Sequence, residues 1–241
     1  LSDRLKDSFL RDGGSLLIGH RVTKIFSKKK LNIFDVNIID RRKNLIQLKA
    51  SDIVFSLPPQ SLLDLIPIDG GLSTTYRESI KKLPKPSGAL VFYGALRRAD
   101  LPVDCPGHIQ IFDEHFGSLF ISISMEDDQR APAGMATLIA SVFVDIDQWS
   151  NLDSQSYARK KNILAKQIRT ILNKKFDLLE TSWDHQELST PRSFERWTGR
   201  PGGMVGGLGQ HPDQFGPFGL SSRTALRGLW LCGDSIYPGE G

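Results

Sequence analysis

With 241 residues, the chain is long enough to bury a full hydrophobic core, as one large domain or two modest ones. Apolar residues make up 39% and charged residues 24%, which excludes a largely disordered chain. The net charge of +4 is mild and unevenly placed: residues 1–50 hold 12 Lys or Arg against 5 Asp, and the rest of the chain is slightly acidic.

The longest uncharged run, Ala131 to Val144, is 14 residues and contains Pro132 and Gly134. That falls short of the roughly 18–20 apolar residues a membrane-spanning helix needs, so none is expected. Two cysteines, Cys105 and Cys232, cannot build a disulfide framework or a four-ligand zinc site. They read as buried, reduced thiols of an intracellular protein. The opening LSDRLKDSFL is charged throughout and is no signal peptide, and a start at Leu1 suggests a processed product or an excised piece.

Leu1, Leu5 and Phe9 recur at helical spacing, and Gly13-Gly14 supplies a left-handed stop. From Ser15 the period becomes two: Leu16, Ile18, Val22 and Ile25 suit an extended segment with Gly19 as a bulge. Leu31 to Ile39 and Asn44 to Lys49 alternate across the polar Asp40–Lys43, which predicts a hairpin. The basic clusters Lys28–Lys30 and Arg41–Lys43 read as solvated turns rather than a nucleic-acid site, since no nucleic-acid motif accompanies them.

Asp52 to Leu57 is a continuous apolar run ended by Pro58-Pro59, the pattern of a buried strand in a parallel sheet. Leu72 to Leu83 predicts a helix. Strands are expected at Ala89–Arg97, His108–Phe112, Leu119–Met125 and Thr137–Val144, the third with Ser122 and Ser124 on a polar face. From Ser154, a fitting N-cap, an apolar stripe of Tyr157, Leu164, Ile168, Ile171 and Leu172 predicts a long helix with a basic outer face. Beyond Thr190-Pro191, residues 199–219 hold eight glycines and read as irregular chain. Leu229 to Cys232 is another short buried strand, with Gly233-Asp234 at its exit.

A strand running into Gly-Asp can put a carboxylate at the carboxyl edge of a sheet, where α/β proteins bind ligands. Asp234 is suited to accept hydrogen bonds from a hydroxylated chain, and Pro238 to Gly241 to begin a turn into a helix. Gly233-Asp234-Ser235 also resembles the nucleophile block of the GDS-type esterases. No histidine follows it, so a triad in that order is unavailable. The five histidines show no metal-ligand spacing, no metal is expected, and no catalytic residue is singled out. Glu195 and Arg196 read either as lining an approach to a cofactor or as a structural ion pair.

Four blocks, in order, resemble the flavin-binding amine oxidase and phytoene desaturase superfamily, most closely its carotenoid desaturase and isomerase members. They are Leu5–Gly14 followed by Val22-Thr-Lys-Ile25, Ser51–Pro59, Phe194–Pro201 with Gly203–Gly207, and Gly233-Asp234 with Pro238–Gly241. The resemblance implies a mixed α/β and α+β fold. A partial, Rossmann-like FAD-binding domain is expected at 1–58 and 196–241, and a substrate domain of mainly antiparallel sheet and helices at 59–195. It also implies that Val22 contacts the adenine through its backbone, that Gly233 and Asp234 meet the ribityl and pyrophosphate portion, that Gly239 lies near the flavin ring, and that Pro238 belongs to the same cofactor-binding block.

No Gly-x-Gly-x-x-Gly occurs. The chain is therefore expected to be a fragment of an FAD enzyme acting on an apolar isoprenoid, itself holding FAD weakly or not at all. Its expected setting is cytoplasmic, with peripheral membrane contact and self-association through an exposed truncation surface as further expectations. An amine or protoporphyrinogen oxidase relative, and a non-redox isoprenoid-binding module, are the competing readings.

Overall fold

The computed structural model describes residues 1–209, 211–214 and 216–238, excepting the side chains of Lys29 and Gln214. In chain order the elements begin with α1 (Ser2–Arg11), β1 (Arg21–Lys28), β2 (Ile33–Ile39), β3 (Leu45–Ala50), β4 (Ile53–Phe55), α2 (Ser61–Leu65) and α3 (Thr74–Lys81). They continue with β5 (Gly88–Arg97), β6 (His108–Asp113), β7 (Gly117–Ile123), β8 (Met135–Val144), α4 (Asp147–Ser150) and α5 (Ser154–Phe176). Last come β9 (Trp183–Ser189), α6 (Pro191–Thr198) and β10 (Leu229–Leu231). The fold is mixed, with helices, antiparallel sheets and one parallel pair.

The chain divides into two compact units, one of Leu1–Leu83 with 216–238, the other the described part of Pro84–Phe215. The boundaries fall at 83/84 and 215/216, whereas the sequence suggested 58/59 and 195/196. The first shift has a packing cause. Pro58-Pro59 does end β4, but the chain beyond it turns back, and Leu62, Ile66 and Leu72 bury themselves with Phe55, Leu229 and Leu231. A proline pair marks the end of a strand, not the end of a core.

In the first unit, β1, β2 and β3 form an antiparallel meander. The β2–β3 turn is built by Asp40, whose carboxylate accepts the backbone N–H groups of Arg42 and Asn44 and the Asn44 side-chain amide, all at 2.8 Å. Those hydrogen bonds, the Asn44 side chain first, hold the Asp40 carboxyl below its ordinary value. Gly19 is not a strand bulge: it sits in a turn before β1, and the register irregularity falls between Val22 and Lys24 instead. The two basic clusters lie at opposite ends of β2, about 20 Å apart by strand rise, so they do not merge into one patch. Lys28 is paired with Asp35 at 2.6 Å. The helix α1 forms where the period predicts it, yet no residue of it is buried.

The second unit is a five-stranded antiparallel sheet in the order β6-β7-β8-β5-β9. Alternation sends Leu119, Ile121, Ile123, Leu138, Ala140, Phe92 and Leu96 to one face, where α5 adds Ile168, Leu172 and Phe176. Each fully buried aliphatic side chain of this kind contributes about 1.5–3 kcal/mol. The cap of α5 is Asp153 rather than Ser154, its carboxylate accepting the N–H groups of Gln155 and Ser156 at 2.9 and 3.0 Å. Ser124, expected on the polar face, is buried beyond the end of β7. Its hydroxyl accepts the Thr137 N–H, and Arg98 donates to its carbonyl. Strand β9 escapes the sequence reading because Asp184, His185, Gln186 and Glu187 hide the alternation of an edge strand.

The Trp183 ring lies against the backbone of Gly94: a Cβ there would stand 2.3 Å from the ring. The indole N–H in turn donates to Asn173 Oδ1 of α5 at 2.8 Å, tying β9 to the helix. Gly94→Val is expected to displace the ring and lower stability by about 1–3 kcal/mol, read as a reduced urea midpoint. An unchanged midpoint would show the contact to be dispensable.

The turn before β8 supplies a pH test. Asp128 accepts the Arg130 side chain and the N–H groups of Arg130 and Met125, and these bonds, the Arg130 side chain first, lower its carboxyl from 3.8 to about 2. The folded pKa lies below the unfolded one, so the stabilisation is complete above about pH 4 and fades as the pH falls toward 2. Asp128→Asn is expected to lower the melting temperature at pH 6 and to converge with the parent near pH 2. A gap independent of pH would refute this linkage.

Candidate functional site

The strand β10 lies parallel to β4, with Leu229, Trp230 and Leu231 opposite Ile53, Val54 and Phe55. Buried apolar runs are what parallel strands require, and Phe55, Leu229 and Leu231 are buried together. The pairing extends one step further, because the Cys232 N–H donates to the Phe55 carbonyl at 3.0 Å. At the amino end the Trp230 indole donates to Asp52 Oδ1 at 3.3 Å.

Both strands therefore finish at one carboxyl edge, formed by Ser56 on one side and Cys232, Gly233 and Asp234 on the other. Gly233 adopts φ +112°, a region that favours glycine, and an added Cβ would meet nothing nearer than the Ser56 carbonyl at 3.8 Å. The backbone here is open to close approach. The Asp234 carboxylate is half-buried beside it and accepts a hydrogen bond from the Ser235 hydroxyl at 3.3 Å. Ile236 is buried in the core, and the Tyr237 N–H donates to the Leu220 carbonyl at 2.9 Å, so the segment after Asp234 is held on both sides.

An open glycine backbone beside a positioned carboxylate suits a hydroxylated ligand chain. The residues present thus fit the ribityl and ribose hydroxyls of a flavin dinucleotide.

Of the site residues suggested by the sequence, Gly233, Asp234 and Pro238 share this segment. Gly239 lies outside the described residues, as do Glu240 and Gly241. Val22 stands on another sheet of the same unit, in β1 at the register irregularity, where the Thr23 hydroxyl donates to the Asn37 carbonyl at 3.1 Å. The residue that the irregularity leaves without a register partner is Thr23, while Val22 is paired with Ile38.

Glu195 and Arg196, on α6 in the other unit, engage different partners: Glu195 accepts the Gly202 N–H at 3.1 Å, and Arg196 lies over the Trp197 ring. Cys232, expected to be buried, is exposed at the end of β10, and Cys105 is half-buried, its thiol pushed up by that burial. Among the described residues no group of three or more His, Cys, Asp and Glu side chains could hold a metal ion, and no helix is long and apolar enough to cross a membrane.

The sequence reading missed the second face of the β5–β9 sheet as a surface of interest. Phe120, Tyr93 and Phe143 stand there with Ile139, interspersed with Ser122 and Ser141, and His108 stacks on Phe120 at 5.7 Å. Phe120 is 45% exposed and Phe143 is 74% exposed, unusual for aromatic residues on a sheet. The signal was the aromatic at 120, which interrupts the serines at 118, 122 and 124 on that face of the strand pattern.

No family model matches the chain. It is 33% identical over 129 residues to the chloroplastic prolycopene isomerase of Daucus carota, a match covering 52% of this chain and 21% of that protein. The corresponding protein of Arabidopsis thaliana is 33% identical over 132 residues, 54% of this chain and 22% of the relative. The matched region is thus about a fifth of the length of these relatives.

Among solved structures, an oxidoreductase from Methanosarcina mazei superposes with a TM-score of 0.56 at 16% identity, over 99% of this chain and 49% of its own. A triple mutant of putrescine oxidase redesigned in cofactor binding gives 0.54 at 16% identity, over 95% and 45%. These two show a shared fold. The sequence matches make about half of this chain similar to prolycopene isomerases, and the two solved structures share its fold.

Proposed function

We propose that the chain is part of an FAD-dependent oxidoreductase that isomerises or desaturates a carotenoid or a related polyene. The observation that carries this reading is the carboxyl edge of β4 and β10, where Gly233 and Asp234 offer an open backbone and a carboxylate, in a chain related to prolycopene isomerases. Asp234 accepts hydrogen bonds from the cofactor's hydroxyls, Gly233 lets the chain of the cofactor lie against the backbone, and Val22 presents its peptide to the adenine. Pro238 and Gly239 are assigned to the approach to the ring. When bound, FAD supplies the group that accepts hydride or electrons.

The polyene is assigned to the aromatic face of the β5–β9 sheet. Tyr93, Phe120 and Phe143 offer flat apolar surface to a conjugated chain, and contact of that kind is non-directional and scales with the area covered. Burial, and then the Glu187 carboxylate opposite, push the Tyr93 phenol above its ordinary value, so the phenol keeps its proton at neutral pH. The exposed Leu1, Leu5 and Phe9 of α1 are assigned to self-association or to peripheral contact with the lipid phase that holds such a substrate.

Asp234→Ala in the protein as encoded is expected to lower the flavin absorbance per chain after desalting, and an unchanged flavin content would overturn the role given to Asp234. The 241-residue chain by itself is expected to retain little or no FAD. A stoichiometric yellow protein would overturn that expectation.

Phe120→Lys puts a charge on the aromatic face. It is expected to slow turnover of a poly-cis carotene, followed by chromatography, by about tenfold or more while leaving flavin content intact. Turnover at the parent rate would remove the polyene from that face.

A further inference from the structure

The second unit holds a cleft of about 340 Å³ between α5 and the edge strand β9. Its size is at the small end of ligand sites, enough for a compact group. Phe92 and Leu188 close its floor, but both are almost fully buried and offer a ligand little surface. The accessible lining is polar: α5 contributes Lys161, Asn162, Lys166 and Arg169, and β9 contributes Gln186. At about 100° of helical turn per residue, Lys161 and Lys166 fall on the two flanks of Ala165, whose methyl group leaves the space between them open.

The charges in this cleft do not cancel. Arg169 is matched: its guanidinium pairs with Glu180 at 2.9 Å and donates to Gln186 Oε1 at 3.2 Å, which fixes it between helix and strand. Lys161 and Lys166 are not, because neither ammonium group has a hydrogen-bond or ion-pair partner among the described residues. The Asn162 carboxamide is equally unengaged there. Glu187 borders the cleft, yet its carboxylate does not neutralise them. Its neighbour Gln186 reaches Arg169 on the α5 side, so alternation sends the Glu187 side chain to the opposite face, across from Tyr93.

Two unmatched positive charges, with Lys161 half-buried, therefore flank one small polar cleft. Such charges repel each other, and an anion between them turns the repulsion into attraction. A carboxylate brings a single charge. A phosphate monoester carries a charge of about −1.5 to −2 at neutral pH and three strong acceptor oxygens, which suits two ammonium groups and an amide.

We propose that this cleft binds a phosphate monoester, its terminal oxygens accepting hydrogen bonds from Lys161 Nζ, Lys166 Nζ and the Asn162 amide. The group belongs either to a soluble small molecule or to a lipid headgroup. The proposal is independent of the flavoenzyme reading, since the cleft lies on the α5 side of the sheet, away from the aromatic face and outside the unit that holds Gly233.

The test uses the 241-residue chain in two arms: calorimetry with glycerol 3-phosphate and with glycerate, and co-sedimentation with phosphatidylcholine vesicles with and without phosphatidic acid. Saturable binding of glycerol 3-phosphate below about 1 mM, about tenfold or more tighter than glycerate, identifies a soluble ligand. Binding confined to vesicles that contain phosphatidic acid identifies a headgroup. In whichever arm binds, Lys161→Gln and Lys166→Gln are each expected to weaken binding about tenfold, the loss of one charge-assisted hydrogen bond. Lys174→Gln, exposed on the same helix but outside the cleft, is expected to leave it unchanged.

Binding in neither arm, glycerate as tight as glycerol 3-phosphate, or equal weakening by Lys174→Gln would each overturn the proposal. Should Lys161→Gln fail to fold by circular dichroism, Lys166→Gln, at an exposed position, decides alone: phosphate binding unchanged in that variant overturns it.

Discussion

Three residues on each of two strands hold the first unit together. The pairing of β4 with β10 joins segments so far apart that the hydrogen bond from Trp230 to Asp52 spans 178 positions of sequence. Closing so long a loop is less costly than its length suggests, because the entropic penalty grows only with the logarithm of the intervening chain. The joint is then secured by burial: Phe55, Leu229, Leu231 and Ile236 share a core with Ile25, Phe34 and Leu62. Without this core, two short parallel strands would have no independent stability.

That joint also sets where the candidate site lies. Parallel strands end on the same side, so the pairing that closes the unit places the exit of β10 beside the exit of β4. Gly233 can hold φ +112° with open space around it because the buried strand before it and the buried Ile236 after it fix its position. The second unit, inserted in the chain between the two strands, follows a different rule. Its sheet buries one face under α5 and leaves aromatic side chains on the other, so one alternating pattern provides both a core and a flat apolar surface.

Much of this was legible from local pattern. The strands β5 to β8 appear where alternation of period two places them, and α5 follows from its apolar stripe, because both signals depend on residues a few positions apart. The cap of α5 was misplaced by one residue because Asp and Ser are both good caps and the choice depends on the turn that precedes the helix. Strand β9 was hidden by four polar residues that an edge strand tolerates and a central one would not. At the candidate site, Gly233 and Asp234 were readable from a strand exit, whereas the openness around Gly233 was not.

The amino-acid sequence by itself determined the strands β5 to β8, the long helix α5 and the apolar face of each, because these properties depend on neighbours within one or two turns or pleats. Only the tertiary structure decided that residues 59–83 belong with the first unit, that β10 lies on β4, and which side of the sheet stays uncovered. Those outcomes rest on contacts between residues many tens of positions apart, where burial in a shared core, rather than local spacing, selects the partner.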